Sequence, residues 1–139
     1  MSKIIEMLRK HEGVETHAYK CTADKTTIGV GRNIDPNGGI GLSNDEIDYL
    51  LANDVARVNK ELIISFPWFA ELDEVRKDAM INICFQLGLP RLKKFKMSLA
   101  HMKNGDYNLA ADEFLISNWA NQTPARAKDI ADMIRSGES

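Results

Sequence analysis

Residues 16 to 34 carry the one extended run of strand-forming pattern in the chain, and helix signals lie on both sides of it. Tyr19, Thr26, Thr27, Ile28 and Val30 are aromatic or β-branched, and Ala23-Asp24-Lys25 supplies a turn between two strands. Before this run, Ile4, Ile5 and Leu8 share one helical face, Ser2 is placed to cap that helix, and Gly13 is a natural residue to end it. After it comes Asp35-Pro36-Asn37-Gly38-Gly39, the strongest turn signal in the sequence. Ile40 to Leu42 reads as one more short strand.

From Ser43 onward the pattern is helical. Ser43-Asn44-Asp45-Glu46 is a capping box, with Ser at the N-cap and Glu three residues later. It opens a helix to about Leu62, whose residues Ile47, Leu50, Leu51, Val55 and Val58 are spaced as a buried stripe. Pro67 and its neighbouring aromatics mark a break. Asp73 caps the next helix, which runs through Val75, Ala79, Met80, Ile83 and Cys84 to Gly88 and is apolar nearly all round in its second half. Short helices are expected at Phe95 to Lys103 and Tyr107 to Leu115. Thr123-Pro124 reads as an N-cap followed by Pro at the first helical position. The final helix carries Ala127, Ile130, Ala131 and Ile134 on one face, with Gly137 past its end.

The expected fold is α+β and mostly α. The 139 residues form a single domain with a small antiparallel β lobe (residues 14–42) and a larger helical lobe (1–13 and 43–139). Lobes joined in this way flank a cleft, and clefts of that kind hold substrates.

Composition narrows the function. Net charge is −2, and charges of both signs are interspersed, so the basic footprint of a nucleic-acid binder is missing. The cluster from Arg91 to Lys96 reads as a solvated loop. No segment approaches the ~18 apolar residues that span a bilayer, so no membrane insertion is expected. The start is broken by charge within a few residues, unlike a signal peptide. Two cysteines make no disulfide framework. Cys84, in Ile81-Asn82-Ile83-Cys84-Phe85, reads as a buried small hydrophobe. Cys21 lies beside Lys20 and Thr22, where packing gives a thiol less reason to be. Gly29-Val30-Gly31 lets another group approach the backbone closely, but lacks the third glycine of a nucleotide loop.

Three groups near the β segment could do chemistry: Glu12, Cys21 and Thr27. Glu12 falls at the C-terminal end of the first helix. The helix dipole disfavours negative charge there, so a carboxyl is pushed toward its protonated form unless a cation compensates. On the residues alone, Glu12 reads either as such an acid or as a surface glutamate.

At this point the sequence resembles the phage lysozymes of the T-even bacteriophage type, the muramidases of glycoside hydrolase family 24. Their catalytic pattern is Glu, eight residues, Asp or Cys, five residues, Thr, and Glu12, Cys21 and Thr27 have that spacing. The match continues through Thr27-Ile28-Gly29-Val30-Gly31, Ser43 to Val55, Asn82 to Gly88, and the run from Asn118 to Lys128 that contains Asn121-Gln122-Thr123-Pro124-Ala125-Arg126-Ala127.

The resemblance implies a lysozyme-like fold. It implies an endolysin that hydrolyses the β-1,4 bond between N-acetylmuramic acid and N-acetylglucosamine in peptidoglycan, without metal or cofactor. Glu12 would be the general acid, its pKa raised by the helix end and partial burial. Arg126 would be its paired cation. Asn33, Phe85, Gln86 and Ser98 would line the glycan groove. An Arg32–Asp54 pair is expected, because Arg32 replaces a histidine that pairs with the Asp equivalent to Asp54. Glu113 stands where the family has a sugar-contacting Asn, and takes no role. The Pro-Gly loop after Asn33 replaces a longer excursion. Cys21 would act as a base with its pKa lowered by Lys20 or another cation, as a covalent nucleophile, or as a guide for a water that Thr27 also holds. The protein would be a monomer, waiting in the host cytoplasm until a holin opens the way to the periplasmic wall. A lytic transglycosylase and a catalytically dead wall-binding module are the competing readings.

Overall fold

Helix α1 (Ser2–Glu12) stops where Gly13 turns left-handed, at φ +78°. The Gly13 amide closes onto the Arg9 carbonyl at 3.0 Å, the role a glycine plays at a helix end. The computed structural model describes residues 2–139, and of Ser2 only the backbone. The expected Ser2 cap lies outside the described side chains. The chain divides into two compact units, Met1–Leu50 and Leu51–Ser139.

The first unit holds the β segment. Strands β1 (Glu15–Lys20), β2 (Thr26–Gly29) and β3 (Arg32–Asn33) form one antiparallel sheet in that order. Tyr19 stands opposite Thr27, and Thr27 opposite Asn33. The β1–β2 turn is tight. Asp24 adopts φ +60°, and its amide donates to the Cys21 carbonyl at 2.8 Å. Aspartate tolerates this left-handed geometry better than most residues.

No strand forms at Ile40 to Leu42, contrary to the sequence expectation. Ile40 only closes a loop, its amide donating to the Asn33 carbonyl at 2.9 Å. Asp35 organises that loop. Its buried carboxylate accepts the Thr26 amide at 3.0 Å and the Asn37 amide at 3.0 Å. These two bonds hold the Asp35 carboxyl below the usual carboxylate range.

The capping box forms as expected. Glu46 Oε1 accepts the Ser43 amide at 2.8 Å, and Ser43 Oγ accepts the Glu46 amide at 3.2 Å. It opens α2 (Asn44–Ser65), which Pro67 ends at a short 3-10 turn (Pro67–Glu71). The expected buried stripe of α2 holds only in its second half. Val58 and Leu62 are buried, whereas Ile47, Leu50, Leu51 and Val55 are exposed. Three of them meet surface grooves instead of core: Leu50 borders one with Leu42, Glu46 and Tyr49, and Leu51 and Val55 border another with Phe85.

The second unit contains α3 (Glu74–Leu87), α4 (Leu89–Leu92), α5 (Lys96–Asn104), α6 (Tyr107–Leu115), α7 (Asn118–Gln122) and α8 (Pro124–Ser136). Asp73 caps α3 by accepting the Arg76 amide at 3.3 Å. Thr123 precedes α8 but does not cap it with its side chain. Its hydroxyl donates back to the Trp119 carbonyl at 3.0 Å. The stripe Ala127, Ile130, Ala131 and Ile134 is buried as its spacing requires. It packs into a core with Leu62, Phe69, Met80, Ile83, Met102 and Phe114. Phe95, Phe114 and Trp119 form an aromatic cluster with centroids 5.4 to 6.3 Å apart, a favourable spacing for tilted and edge-to-face rings. Helices α4 and α7 escape a pattern reading because each spans barely one turn.

Candidate active site

Glu12 ends α1, and its side chain lies against the backbone of Gly31. A Cβ built on Gly31 would sit 2.7 Å from Glu12 Oε2, and Gly31 itself has φ +67°. The positive φ favours glycine there, and the missing side chain leaves room for the flexible end of Glu12. Glu12 is exposed, so the partial burial expected of it is not found.

Cys21 and Thr27 meet on the β1–β2 hairpin. The Cys21 amide donates to the Lys25 carbonyl at 3.0 Å, and the Thr27 hydroxyl donates to the same oxygen at 2.8 Å. Thr27 is 4 % exposed, the only buried polar residue of the three strands among the described residues. The Cys21 thiol is half-buried. It is held below its ordinary value by the backbone amide of Lys25 and then that of Ala23, with a smaller part from the Thr27 hydroxyl. Hydrogen bonds of this kind favour the charged form of the sulfur.

One of the three expected routes had Lys20 or another cation supply that effect. Lys20 is engaged elsewhere, donating to Thr26 Oγ1 at 3.0 Å and lying 3.9 Å from Asp35. Amide dipoles of the turn therefore replace a cation. Cys84 is the contrast: it is buried among core residues, and burial pushes its thiol up.

Arg32 does not pair with Asp54. Its guanidinium grips both oxygens of Glu46, at 2.8 and 2.6 Å, and also donates to the Gly41 carbonyl at 3.0 Å. Glu46 wins because the capping box already points its carboxylate at the loop that β3 enters, and a fork-to-fork pair uses both of its oxygens. Asp54 is taken by Arg57, one turn along α2, at 3.3 Å. Asn33 is half-buried, and its Oδ1 accepts the Asp35 amide at 2.9 Å, so it shapes the loop as well as facing Thr27 across the strands.

The second unit holds the other expected residues in three places. Phe85 and Arg126 line one groove of about 320 Å³ with Leu51, Val55, Ile81 and Asn82. Phe85 is 44 % exposed and stands outside the core. Arg126 is steadied by Asn82, donating from Nε to Oδ1 at 2.8 Å. Sequence reasoning gave Asn82 no role. Its signal was an amide three residues before Phe85 in the middle of a helix, a place asparagine disfavours. Gln86 turns away to the interior, where Oε1 accepts the Trp119 indole N–H at 2.9 Å. Ser98 is buried at the start of α5, in the wall of a second cavity with Lys94, Lys96 and Glu113. Among the described residues no group of three His, Cys, Asp or Glu side chains could hold a metal ion. No helix among them is long and apolar enough to cross a membrane.

Comparison with known proteins places the chain in a family. The family model described as phage lysozyme matches residues 9–132. A probable T4-type lysozyme of Dictyostelium discoideum is 29 % identical, over 99 % of this chain and 96 % of its own. The endolysin of Acyrthosiphon pisum secondary endosymbiont phage 1 is 26 % identical, over 81 % of this chain and 75 % of its own. The pre-baseplate central spike protein Gp5 of Enterobacteria phage T4 is 27 % identical over 95 % of this chain, which spans 27 % of that protein. The match takes in Glu12, Cys21, Thr27, Phe85 and Arg126 together, and the chain belongs to the phage lysozyme family, a family of glycoside hydrolases.

Proposed function

We propose that the protein cleaves the β-1,4 bond between N-acetylmuramic acid and N-acetylglucosamine, with Glu12 as the general acid, and that its role is lysis of a bacterial host. The observation that carries this reading is the Cys21–Thr27 pair on a hairpin whose amides favour the thiolate, at the family's spacing from an acid seated over Gly31. Glycoside hydrolysis needs one group to protonate the leaving oxygen and a second to deliver electrons to the anomeric carbon, directly or through water.

Glu12 donates its proton to the glycosidic oxygen as that bond breaks. Cys21 then serves as base, as nucleophile or as a guide for the attacking water, and the turn amides that lower its pKa support the first two roles. As a base it takes a proton from the water that bonds to the anomeric carbon. As a nucleophile it bonds to that carbon first, and water releases it in a second step. Thr27 positions the water in either route. We further propose that Arg126 pairs with Glu12. Asn33, Phe85, Gln86 and Ser98 line the glycan path in this reading. The protein acts as a monomer, is released from the host cytoplasm by a holin, and works in the periplasm.

Two measurements test this. Clearing of permeabilised cells should be lost in Glu12→Gln, and retained activity would overturn the role of Glu12. The anomer released by Cys21→Asp and by the native chain should be followed by NMR. Inversion in both removes an obligate covalent nucleophile, retention in the native chain identifies one, and an equally active Cys21→Ala removes any essential thiol role. Fragments lighter by one water would instead mark a transglycosylase.

A further inference from the structure

Between Asp78 and Asp106 the chain has no acidic residue, yet it carries Arg91, Lys93, Lys94, Lys96 and Lys103. Five of the 18 Lys and Arg fall there, which leaves 13 against 20 Asp and Glu elsewhere. Four of the five stand within residues 91–96, and that stretch is not the solvated loop its composition suggests. Helix α4 ends at Leu92 and α5 begins at Lys96. The Lys93 amide donates to the Leu89 carbonyl at 3.0 Å, the Lys94 amide to that of Arg91 at 3.1 Å and the Phe95 amide to that of Leu92 at 3.0 Å. Leu92 and Leu99 are buried, and the Phe95 ring packs on Phe114 and Trp119. These anchors fix the backbone and leave Arg91, Lys93, Lys94 and Lys96 exposed, with Met97 59 % exposed beside them. Among the described residues none of the four cations makes an ion pair within 4.0 Å, although Glu113 borders the cavity that Lys94 and Lys96 line.

Cations held without partners on one rigid turn repel each other, and an anionic surface relieves that repulsion. Single-stranded nucleic acid would need an exposed aromatic platform, and the Phe95 ring is taken up by its aromatic neighbours. A bacterial wall carries amines among its carboxylates, whereas a bilayer of anionic phospholipid presents a continuous field of phosphates. An exposed thioether beside the cations can enter the headgroup region of such a bilayer. We propose that Arg91, Lys93, Lys94 and Lys96, with Met97, form a face that adsorbs reversibly to anionic phospholipid membranes. Each cation near such a surface tightens binding about fivefold, and salt screens the effect. The adsorption needs no membrane-spanning segment. It is independent of the wall-hydrolase reading, since it uses none of the residues assigned to the acid, the thiol or the glycan path.

The test sediments the full-length protein with vesicles of phosphatidylglycerol and phosphatidylcholine in equal parts, and with vesicles of phosphatidylcholine alone, in about 50 mM salt. Binding is expected to the mixed vesicles only, and it should fall steeply at about 500 mM salt. Arg91→Gln with Lys93→Gln should weaken it about 25-fold, about fivefold for each cation. Lys10→Gln with Lys60→Gln removes the same charge from exposed positions outside this stretch and should leave binding nearly unchanged. Equal weakening by the two pairs would reduce the effect to net charge and overturn the proposal. Absence of binding to the mixed vesicles, or equal binding to phosphatidylcholine alone, also overturns it. So does a loss of affinity for isolated wall sacculi in Arg91→Gln with Lys93→Gln that vesicle binding does not share, which would assign the face to the wall instead.

Discussion

Glu12 Oε2 lies where a side chain on residue 31 would have to begin, 2.7 Å from a Cβ built on Gly31. The acid is thus seated by an absence of atoms on β-lobe backbone, at a position held at φ +67°. Gly31→Ala should therefore act twice. The left-handed backbone costs about 1–2 kcal/mol of stability, and the methyl displaces the carboxylate from its seat. Urea unfolding should report the first effect. Wall clearing at a temperature where the variant stays folded should report the second, and undiminished clearing would show that the seat does not matter.

The two thiols should titrate apart. Turn amides hold Cys21 below its ordinary value, while burial pushes Cys84 above its own. The thiolate is the reactive form, so Cys21 should be alkylated by iodoacetamide at lower pH than Cys84, resolved by mass spectrometry of the two peptides. If wall clearing depends on the Cys21 thiolate, Cys21→Asp should move that limb of its pH profile toward acid. An alkylation order reversed between the two cysteines would refute the described surroundings of both.

Glu46 makes the stability of the first unit depend on acid. Arg32 holds its carboxyl down to about 2, with the Ser43 amide adding to the effect. The unfolded chain returns it to about 4.3. A folded value below the unfolded one means that the unfolded state binds the extra proton as pH falls between them. The stabilisation is present above about pH 4.3 and is lost progressively toward pH 2. Melting temperature measured across this range should fall less steeply in Glu46→Gln than in the native chain. An identical slope would mean that the pair contributes nothing to folding.

Gln86 should behave as a structural residue as much as a site residue. Replacing it with Met keeps the volume but leaves the indole N–H of Trp119, itself 2 % exposed, without its acceptor. A buried donor left unpaired costs about 1–3 kcal/mol. Urea denaturation should show that loss. A change of under half a kilocalorie would mean that water or another group replaces the amide.

Much of the fold could be read in advance because it is decided within a few residues. Gly13, the Ser43–Glu46 box, the turn at Asp24 and the stripe of α8 each rest on contacts spanning one or two turns. The grouping of Glu12, Cys21 and Thr27 came from the spacing shared with the resembled family. Tertiary structure decided the remainder. Arg32 chose Glu46 over Asp54 because the bend of the loop, which no periodicity encodes, presents both Glu46 oxygens at once. Leu50, Leu51 and Val55 of the α2 stripe meet grooves because core is available only from Val58 on. Cys21 owes its charge preference to amides four and two residues away, folded back over the sulfur by a left-handed Asp24. The sequence offered Lys20 or another cation as one source of that effect. Local sequence determines which backbone groups a turn or a cap can satisfy, but which distant charge or surface a side chain meets depends on the path of the chain between them.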